Sequence, residues 1–445
     1  MEKNLVIGIQ EKPSSIWKWI ILSLQHVFAM FGATVLVPVL TGLPVGVALV
    51  ASGIGTLIYI GFTRGKVPVY LGSSFAYIGA IIVTSSQYGF DAVMTGLVLV
   101  GAIYVTFALI IKYTSKEWIK VLLPARVIGP LIMIIGLTLL PVAMEYVNLV
   151  GGFLDGDYGT TTVFNSWNDN LALLIGFITL SSVVVINKFG SGFVKVIPII
   201  LGIVIGVLAA QMGGLYNIGD VNFGSFFVFP DFKFFWNLGF DFQGAIIFAP
   251  LALVTIAEHI GDHTVLGQIC EEDFLLEPGL DNTLLGDGVA TAVSGLIGGP
   301  ANTTYGENTG VVALTKVGSV YVTGTAAIFA FLLGFIGVIA DFLNSIPLAV
   351  MGGISIILFS LISYNGYKVL RSKVIWNWQA ITVVVVTLFV GLSPIIANFL
   401  PWFPVISIAL NDIVAVEGMA LAAIVGIAVS YGLSFLESDA HTELA

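Results

Sequence analysis

The chain has 445 residues, 58% of them apolar and 9% charged, with a mean hydropathy of +1.04. That composition excludes an assembly of soluble domains and points to a polytopic α-helical membrane protein. A formal net charge of −10 without any basic block excludes nucleic acid as a partner, and one cysteine, Cys270, excludes an intrachain disulfide.

Taken in order, the sequence holds fourteen candidate spans. They begin near Trp17, Leu43, Val67, Asp91, Val121, Asn170, Gly192, Gln243, Asn282, Gly299, Val320, Ile346, Trp378 and Val414. Runs such as 45–62 and 93–111 carry no charge and are of spanning length. The first apolar run, from Ile20 to about Leu40, is too long for the apolar core of a cleavable signal peptide. Polar connections near 148–169 and 213–242 are long, and the second is aromatic enough to read as an interfacial element. With the N-terminus in the cytoplasm, fifteen of the sixteen Lys and Arg residues fall on inner ends and loops, and only Lys233 falls outside. The expected location is a bacterial-type inner or plasma membrane, crossed many times, with both termini cytoplasmic.

Three local similarities recur in the same order. Gln25-His26 in span 1 matches Glu258-His259 in span 8, an offset of 258 − 25 = 233. Span 3 opens at Pro68 and span 10 at Pro300, an offset of 300 − 68 = 232. Span 5 opens at Pro124 and span 12 at Pro347, an offset of 347 − 124 = 223. The expectation is two seven-span repeats, 1–215 and 216–445. Seven is odd, so the second crosses the membrane inverted, as in secondary transporters.

Spans 3 and 10 are the weak ones by hydropathy. The stretch Gly298–Lys316 puts Asn302, Thr303, Thr304, Tyr305, Glu307 and Asn308 where a membrane span is expected. Lipid tolerates irregular backbone and carboxylates only against protein or a water-filled cavity. Each of these spans therefore reads as an extended piece followed by a short helix, starting near Phe75 in one and Glu307 in the other. The extended pieces are expected to pair with each other. The short helices would aim free N–H groups at the cavity, where a carbonyl-rich ligand is welcome.

Span 8 supplies the facing wall in the sequence AEHIGDH. Glu258 and Asp262, four apart, share one helix face; His259 and His263 share the adjacent one. A charged carboxylate at mid-membrane costs at least about 2.5–3.5 kcal/mol, so it pairs, takes a proton or lines water. Carboxylates accepting N–H groups opposite amides donating to carbonyls suit a planar pyrimidine or purine base. His26 reads as a structural, hydrogen-bonded residue facing span 8. The two span 8 histidines lack a regularly spaced third ligand, which argues against a metal site. Asp287 reads as a carboxylate orienting span 8 or 10, Tyr305 equally as packing or as a ligand contact, and Arg126 as a snorkelling residue. Asp341, Asp412 and Glu417 read as span-end residues. The chain carries no nucleotide-binding phosphate loop, no nucleophile–base pair and no cofactor motif, so no enzyme activity is expected.

The run from Glu307 through Asn308, Gly310 and Thr315 to Lys316 resembles the signature of the nucleobase–ascorbate transporter family (nucleobase–cation symporter-2). Gln25-His26, GSSFAYI at 72–78, AEHIGDH and NTTYGEN are similar to that family at matching places. The resemblance covers the whole chain. It implies a core domain of spans 1–4 and 8–11 (about 15–115 and 243–343) and a gate domain of spans 5–7 and 12–14 (about 120–215 and 345–437). It also implies a homodimer. Glu258 and Glu307 would hydrogen-bond the base, with backbone at Phe75 and Gly306 meeting its carbonyls and Ala76 and Tyr305 beside them. Glu258, Asp262, His26 and Asp287 are the candidates for proton coupling. A Glu at 307 resembles the uracil permeases, whereas Asp262 with Asp287 is reminiscent of the purine branch. The reading is proton-coupled uracil import. A xanthine or urate permease is the runner-up, and a passive channel or anion transporter on the same architecture is the alternative of another class.

Overall fold

The computed structural model describes residues 5–114, 117–149, 167–221, 223–233, 239–400, 402–409 and 415–442. Most of the connection near 148–169, and Asp412, lie outside these residues. The chain is mostly helical. It opens with α1 (Ile16–Thr41) and α2 (Val45–Phe62), then β1 (Leu71–Ser73), a 3-10 turn at Phe75–Tyr77 and α3 (Ile78–Gln87). It continues through α4 (Phe90–Tyr113), α5 (Glu117–Leu122), α6 (Ala125–Tyr146), α7 (Trp167–Phe189) and α8 (Pro198–Gly213). A short α9 (Phe242–Ala245) leads through a 3-10 turn into α10 (Ala249–Cys270), followed by α11 (Leu280–Ile297), β2 (Asn302–Thr304) and α12 (Gly306–Thr315). The last part comprises α13 (Val320–Leu333), α14 (Gly337–Ser345), α15 (Leu348–Lys373), α16 (Trp378–Phe399), β3 (Ser407–Ala409), β4 (Ala415–Glu417) and α17 (Gly418–Thr442).

Among the described residues nine helices are long and apolar enough to cross a membrane, and three shorter apolar helices accompany them. The helix ends follow local chemistry. Ser15 caps α1 by accepting the Lys18 amide at 3.2 Å, Asn377 caps α16 by accepting from Ala380 at 2.8 Å, and Pro198 opens α8. Gly298 ends α11 with φ 87°, where a Cβ would meet the Lys233 backbone, so the chain can turn there into β2.

Two bodies of packed helices are visible. In one, α4 packs on α11, and α2 on α11 and α13; in the other, α6 packs on α15, and α7 on α8 and α15, with α16 against α17 and α6. Small residues set these approaches, as in other membrane helices. A Cβ on Gly101 of α4 would lie 2.6 Å from the Gly288 carbonyl of α11, and one on Gly366 of α15 would lie 2.5 Å from the Gly129 carbonyl of α6. The helix α10 faces both bodies, touching α4 on one side and α6 and α17 on the other. The described part of the aromatic connection is pinned by Val228 N–H to Phe335 O (3.0 Å) and Lys233 N–H to Ile297 O (3.2 Å), leaving Phe226, Phe227 and Phe229 exposed.

Candidate functional site

β1 and β2 pair antiparallel, Leu71 opposite Thr304, Gly72 opposite Thr303 and Ser73 opposite Asn302. Two flanking bonds extend the ladder: Tyr305 N–H to Tyr70 O at 3.0 Å and Ser74 N–H to Ala301 O at 2.8 Å. Every backbone polar group at membrane depth needs a partner inside the protein, and a two-stranded ladder leaves its outer edges bare. Hydroxyls from neighbouring helices fill that need. Thr56 accepts the Leu71 N–H at 2.9 Å, Ser52 donates to the Leu71 carbonyl at 2.7 Å, and Thr291 donates to the Asn302 carbonyl at 2.9 Å. The Asn302 amide further ties β2 to Ala51 O of α2 and Ala290 O of α11.

Tyr305 locks the two strands from one side. Its hydroxyl donates to Ser73 O at 3.0 Å and accepts from Thr34 at 3.1 Å, and its ring covers Gly72 so closely that a Cβ there would lie 2.4 Å from the ring. Of the two roles open to Tyr305, the side chain occupies the packing one.

After each strand a helical segment begins without a capping side chain. The 3-10 turn starts at Phe75 behind Ser74, whose hydroxyl has no partner, and α12 starts at Gly306 behind Tyr305. Their first N–H groups have no partner in a preceding turn, although the Glu307 N–H meets its own carboxyl, and their positive dipole ends favour an electron-rich ligand. Phe75 and Ala76 are buried, and Phe75 meets Phe359 of α15 edge to face at 5.6 Å. Gly306 is exposed and Glu307 half-buried.

Across from these starts stands α10. Asp262 accepts the Thr304 hydroxyl at 2.7 Å, which binds α10 to the end of β2. Glu258 lies within electrostatic range of Asp262, Glu307 and Asp287, and Asp262 within range of Glu307 and Asp287; no cation pairs with Glu258, Asp262 or Glu307 among the described residues. Glu258 and Asp262 are half-buried beside the two strand ends. The site thus offers N–H donors and the Glu307 carboxyl at the helical starts, and the carboxyls of Glu258 and Asp262 opposite them on α10.

The histidines are committed behind this surface. His263 donates from Nδ1 to the His259 carbonyl at 2.7 Å, so in its neutral form Nε2 accepts from the Tyr59 hydroxyl. His259 bonds Asp287 of α11 at 2.8 Å, both fully buried, and its ring stacks on His263 at 4.0 Å. That bond ties α11 to α10. The expectation for His26 needs correcting: it is hydrogen-bonded, but to Asn308 of α12 and not to the span 8 segment. The Asn308 amide donates to His26 Nδ1 and to the His26 carbonyl, both at 3.1 Å. Charge and periodicity carry no signal for that partner choice, which follows from α1 packing on α12.

The remaining signature residues hold the far end of α12. Thr315 donates back to Val311 O at 2.8 Å and accepts from Val317 N–H at 3.3 Å. Lys316 adopts φ 57° and its carbonyl accepts from Val6 N–H at 2.7 Å, while Gly310 faces open space. Arg126, expected at the inner surface, donates to the Ser430 hydroxyl of α17 at 3.0 Å. Sequence reasoning missed Thr34, Ser52, Thr56 and Tyr59. Each is a hydroxyl in an apolar stretch, a weak signal that gains meaning once the strands need edge partners.

A profile described as Permease family matches residues 17–398. The chain is 40% identical over 427 residues to the "Uracil permease" of Bacillus caldolyticus, covering 95% of this chain and 93% of that one. It is 38% identical to the "Uracil permease" of Bacillus subtilis strain 168, covering 96% and 94%. The figure for that of Escherichia coli K12 is 36%, covering 95% and 93%. Among solved structures, the transmembrane domain of the cyanobacterial bicarbonate transporter BicA aligns with TM-score 0.59 at 15% identity, covering 95% of this chain and 98% of that one. The murine anion transporter Slc26a9 in its inward-facing state aligns with TM-score 0.68 at 12% identity, covering 96% and 69%. At those identities the two structures speak for the fold alone, that of a membrane transporter. The chain belongs to the permease family, the nucleobase–ascorbate transporters that its span 10 motif resembles, and is a transporter and not an enzyme.

Proposed function

We propose that this protein imports uracil across the cytoplasmic membrane by proton symport, through alternating access. The observation that carries the reading is the antiparallel pair β1–β2, whose two helical starts, the second carrying Glu307 in its first turn, face Glu258 and Asp262 of α10. A uracil ring has alternating carbonyl and N–H groups. Backbone N–H groups at Phe75 and Gly306 donate to its carbonyls, and Glu258 and Glu307 accept its N–H groups. Ala76 lines the floor, and Tyr305 holds the strand under it. The names of the relatives support uracil as the base.

In this reading the elements from α1 to α17 make fourteen spans in two inverted seven-span repeats, 1–215 and 216–445. Spans 3 and 10 are then β1 with α3, and β2 with α12. Both termini are cytoplasmic. The body containing α1–α4 and α9–α13 is the core domain, carrying the site; the body containing α6–α8 and α15–α17 is the gate domain, and a homodimer is the working assembly. Base binding from outside, with Glu258 protonated, lets the core move against the gate. Inside, the base leaves and the proton follows. Asp262, tied to Thr304, links the protonation of α10 to the position of β2, while Asp287 and His26 brace α10 and α12 from behind.

The deciding experiment is labelled uracil uptake into vesicles, with and without an imposed pH gradient and with unlabelled xanthine as competitor. Gradient-driven accumulation that xanthine does not compete is expected. Gradient-independent uptake that survives Glu258→Gln would sink the coupling, and strong xanthine competition would move the substrate to the purines.

A further inference from the structure

The site as described is built from one body of the protein, and a transporter that alternates access needs its other body to sense the substrate. Helix α15 of that other body reaches both helical starts. Phe359 meets Phe75 edge to face at 5.6 Å, and Asn365 approaches Gly306: its Nδ2 is the one heavy atom within 4 Å of a Cβ built on that glycine, at 3.9 Å. Gly306, without a side chain, leaves an opening between the first turn of α12 and the Asn365 amide. Neighbouring polar side chains on α15 are occupied. Ser363 donates to Phe359 O at 3.1 Å and Ser355 to Met351 O at 2.7 Å, and the Tyr364 ring lies under Lys368 Nζ. Asn365 is exposed, and its amide has no hydrogen bond to any described residue.

From this arrangement we propose that Asn365 is a specificity-determining residue, contacting the bound base from the gate side. The inference rests on the nucleobase reading of the site. The uncapped backbone N–H groups of Phe75 and Gly306 only donate, an ionised Glu307 only accepts, and Glu258 changes its pattern with each proton it takes or loses, so none of them holds a donor and an acceptor together throughout the cycle. A carboxamide presents both, side by side, and matches an edge where C=O adjoins N–H. It also makes the contact that closes the gate depend on the base, because a mismatched edge leaves the amide unpaired as the two bodies approach. An unpaired Asn is otherwise an unfavourable choice on a helix of a membrane protein.

The test uses the full chain in proteoliposomes, comparing wild type with Asn365→Ala and with Asn365→Asp, which keeps the shape but loses the donor. Uptake of labelled uracil gives KM and Vmax, and competition by 2-thiouracil and 4-thiouracil reports which carbonyl is read. One lost hydrogen bond predicts a KM raised roughly three- to tenfold in Asn365→Ala, with Vmax within about twofold. The thio-analogue replacing the carbonyl that Asn365 reads should bind wild type more weakly than uracil, and that penalty should vanish in the variant. An unchanged KM and an unchanged analogue ranking in a variant of wild-type thermal stability would overturn the inference while leaving the uracil reading intact. Should the alanine chain be unstable, Asn365→Asp carries the same comparison. Wild-type protein that takes up no nucleobase would overturn both.

Discussion

Thr304 donates its hydroxyl to Asp262 across 2.7 Å, joining the end of β2 to the middle of α10. The two elements are far apart in sequence and meet at the point where carboxylates face the helical starts. Thr304→Val keeps the shape and removes the donor. One such hydrogen bond is worth about 0.5–1.5 kcal/mol, so gradient-driven uracil uptake is expected to fall roughly two- to tenfold. Equilibrium binding of uracil, measured by calorimetry, should change far less.

Glu258 and Glu307 are expected to separate in their effects. Glu258→Gln removes the exchangeable proton and should abolish accumulation driven by a pH gradient while retaining counterflow of labelled for unlabelled uracil. Glu307→Gln keeps the shape but turns an acceptor-only group into one that also donates. Its expected result is a raised KM for uracil, with xanthine becoming a better competitor. Parallel uptake and competition curves for the two variants check both.

Gly72 has no room for a side chain. A Cβ there would lie 2.4 Å from the Tyr305 ring and 2.7 Å from the Thr34 hydroxyl. Overpacking of this kind costs about 1–3 kcal/mol, and here it also pushes β1 away from β2. Gly72→Ala is expected to lower the melting temperature in detergent and to eliminate uracil-dependent stabilisation. Tyr305→Phe, which only unpairs Ser73 O and Thr34, should lower the melting temperature less and keep that stabilisation.

Asp287 and His259 form a fully buried pair at 2.8 Å. Leaving one partner of such a buried hydrogen-bonded pair unsatisfied costs about 1–3 kcal/mol. Asp287→Asn, which can still accept from His259, is expected to fold with near-normal thermal stability; Asp287→Leu should not. Melting curves of the purified variants distinguish them.

The sequence made the strand pair legible before any coordinates. The similar openings at Pro68 and Pro300 point to two extended segments, and these do pair, Leu71 opposite Thr304. Spacing also brought Glu258 and Asp262 to one face of α10. What stayed hidden were the contacts made by single hydroxyls and amides: Thr304 on Asp262, Tyr59 on His263, Asn308 on His26. These depend on which helix lies beside which. A period of 3.6 residues says which face is polar and is silent about the partner. His26 shows the limit. Its need for a hydrogen bond was plain from an apolar span, yet its partner belongs to α12.

The register of β1 and β2 also sets when the site can come into being. β1 leaves the ribosome well over two hundred residues ahead of β2. During that interval Ser52 and Thr56, synthesised earlier on α2, are already at hand for Leu71, while the groups destined for β2 face no partner. A nascent chain therefore carries an incomplete strand at membrane depth, which has to be sheltered by protein until the second half arrives. Chains ending before Thr304 should hold no partial site at all, and biogenesis, more than the folded state, is where substitutions in β1 would first be felt.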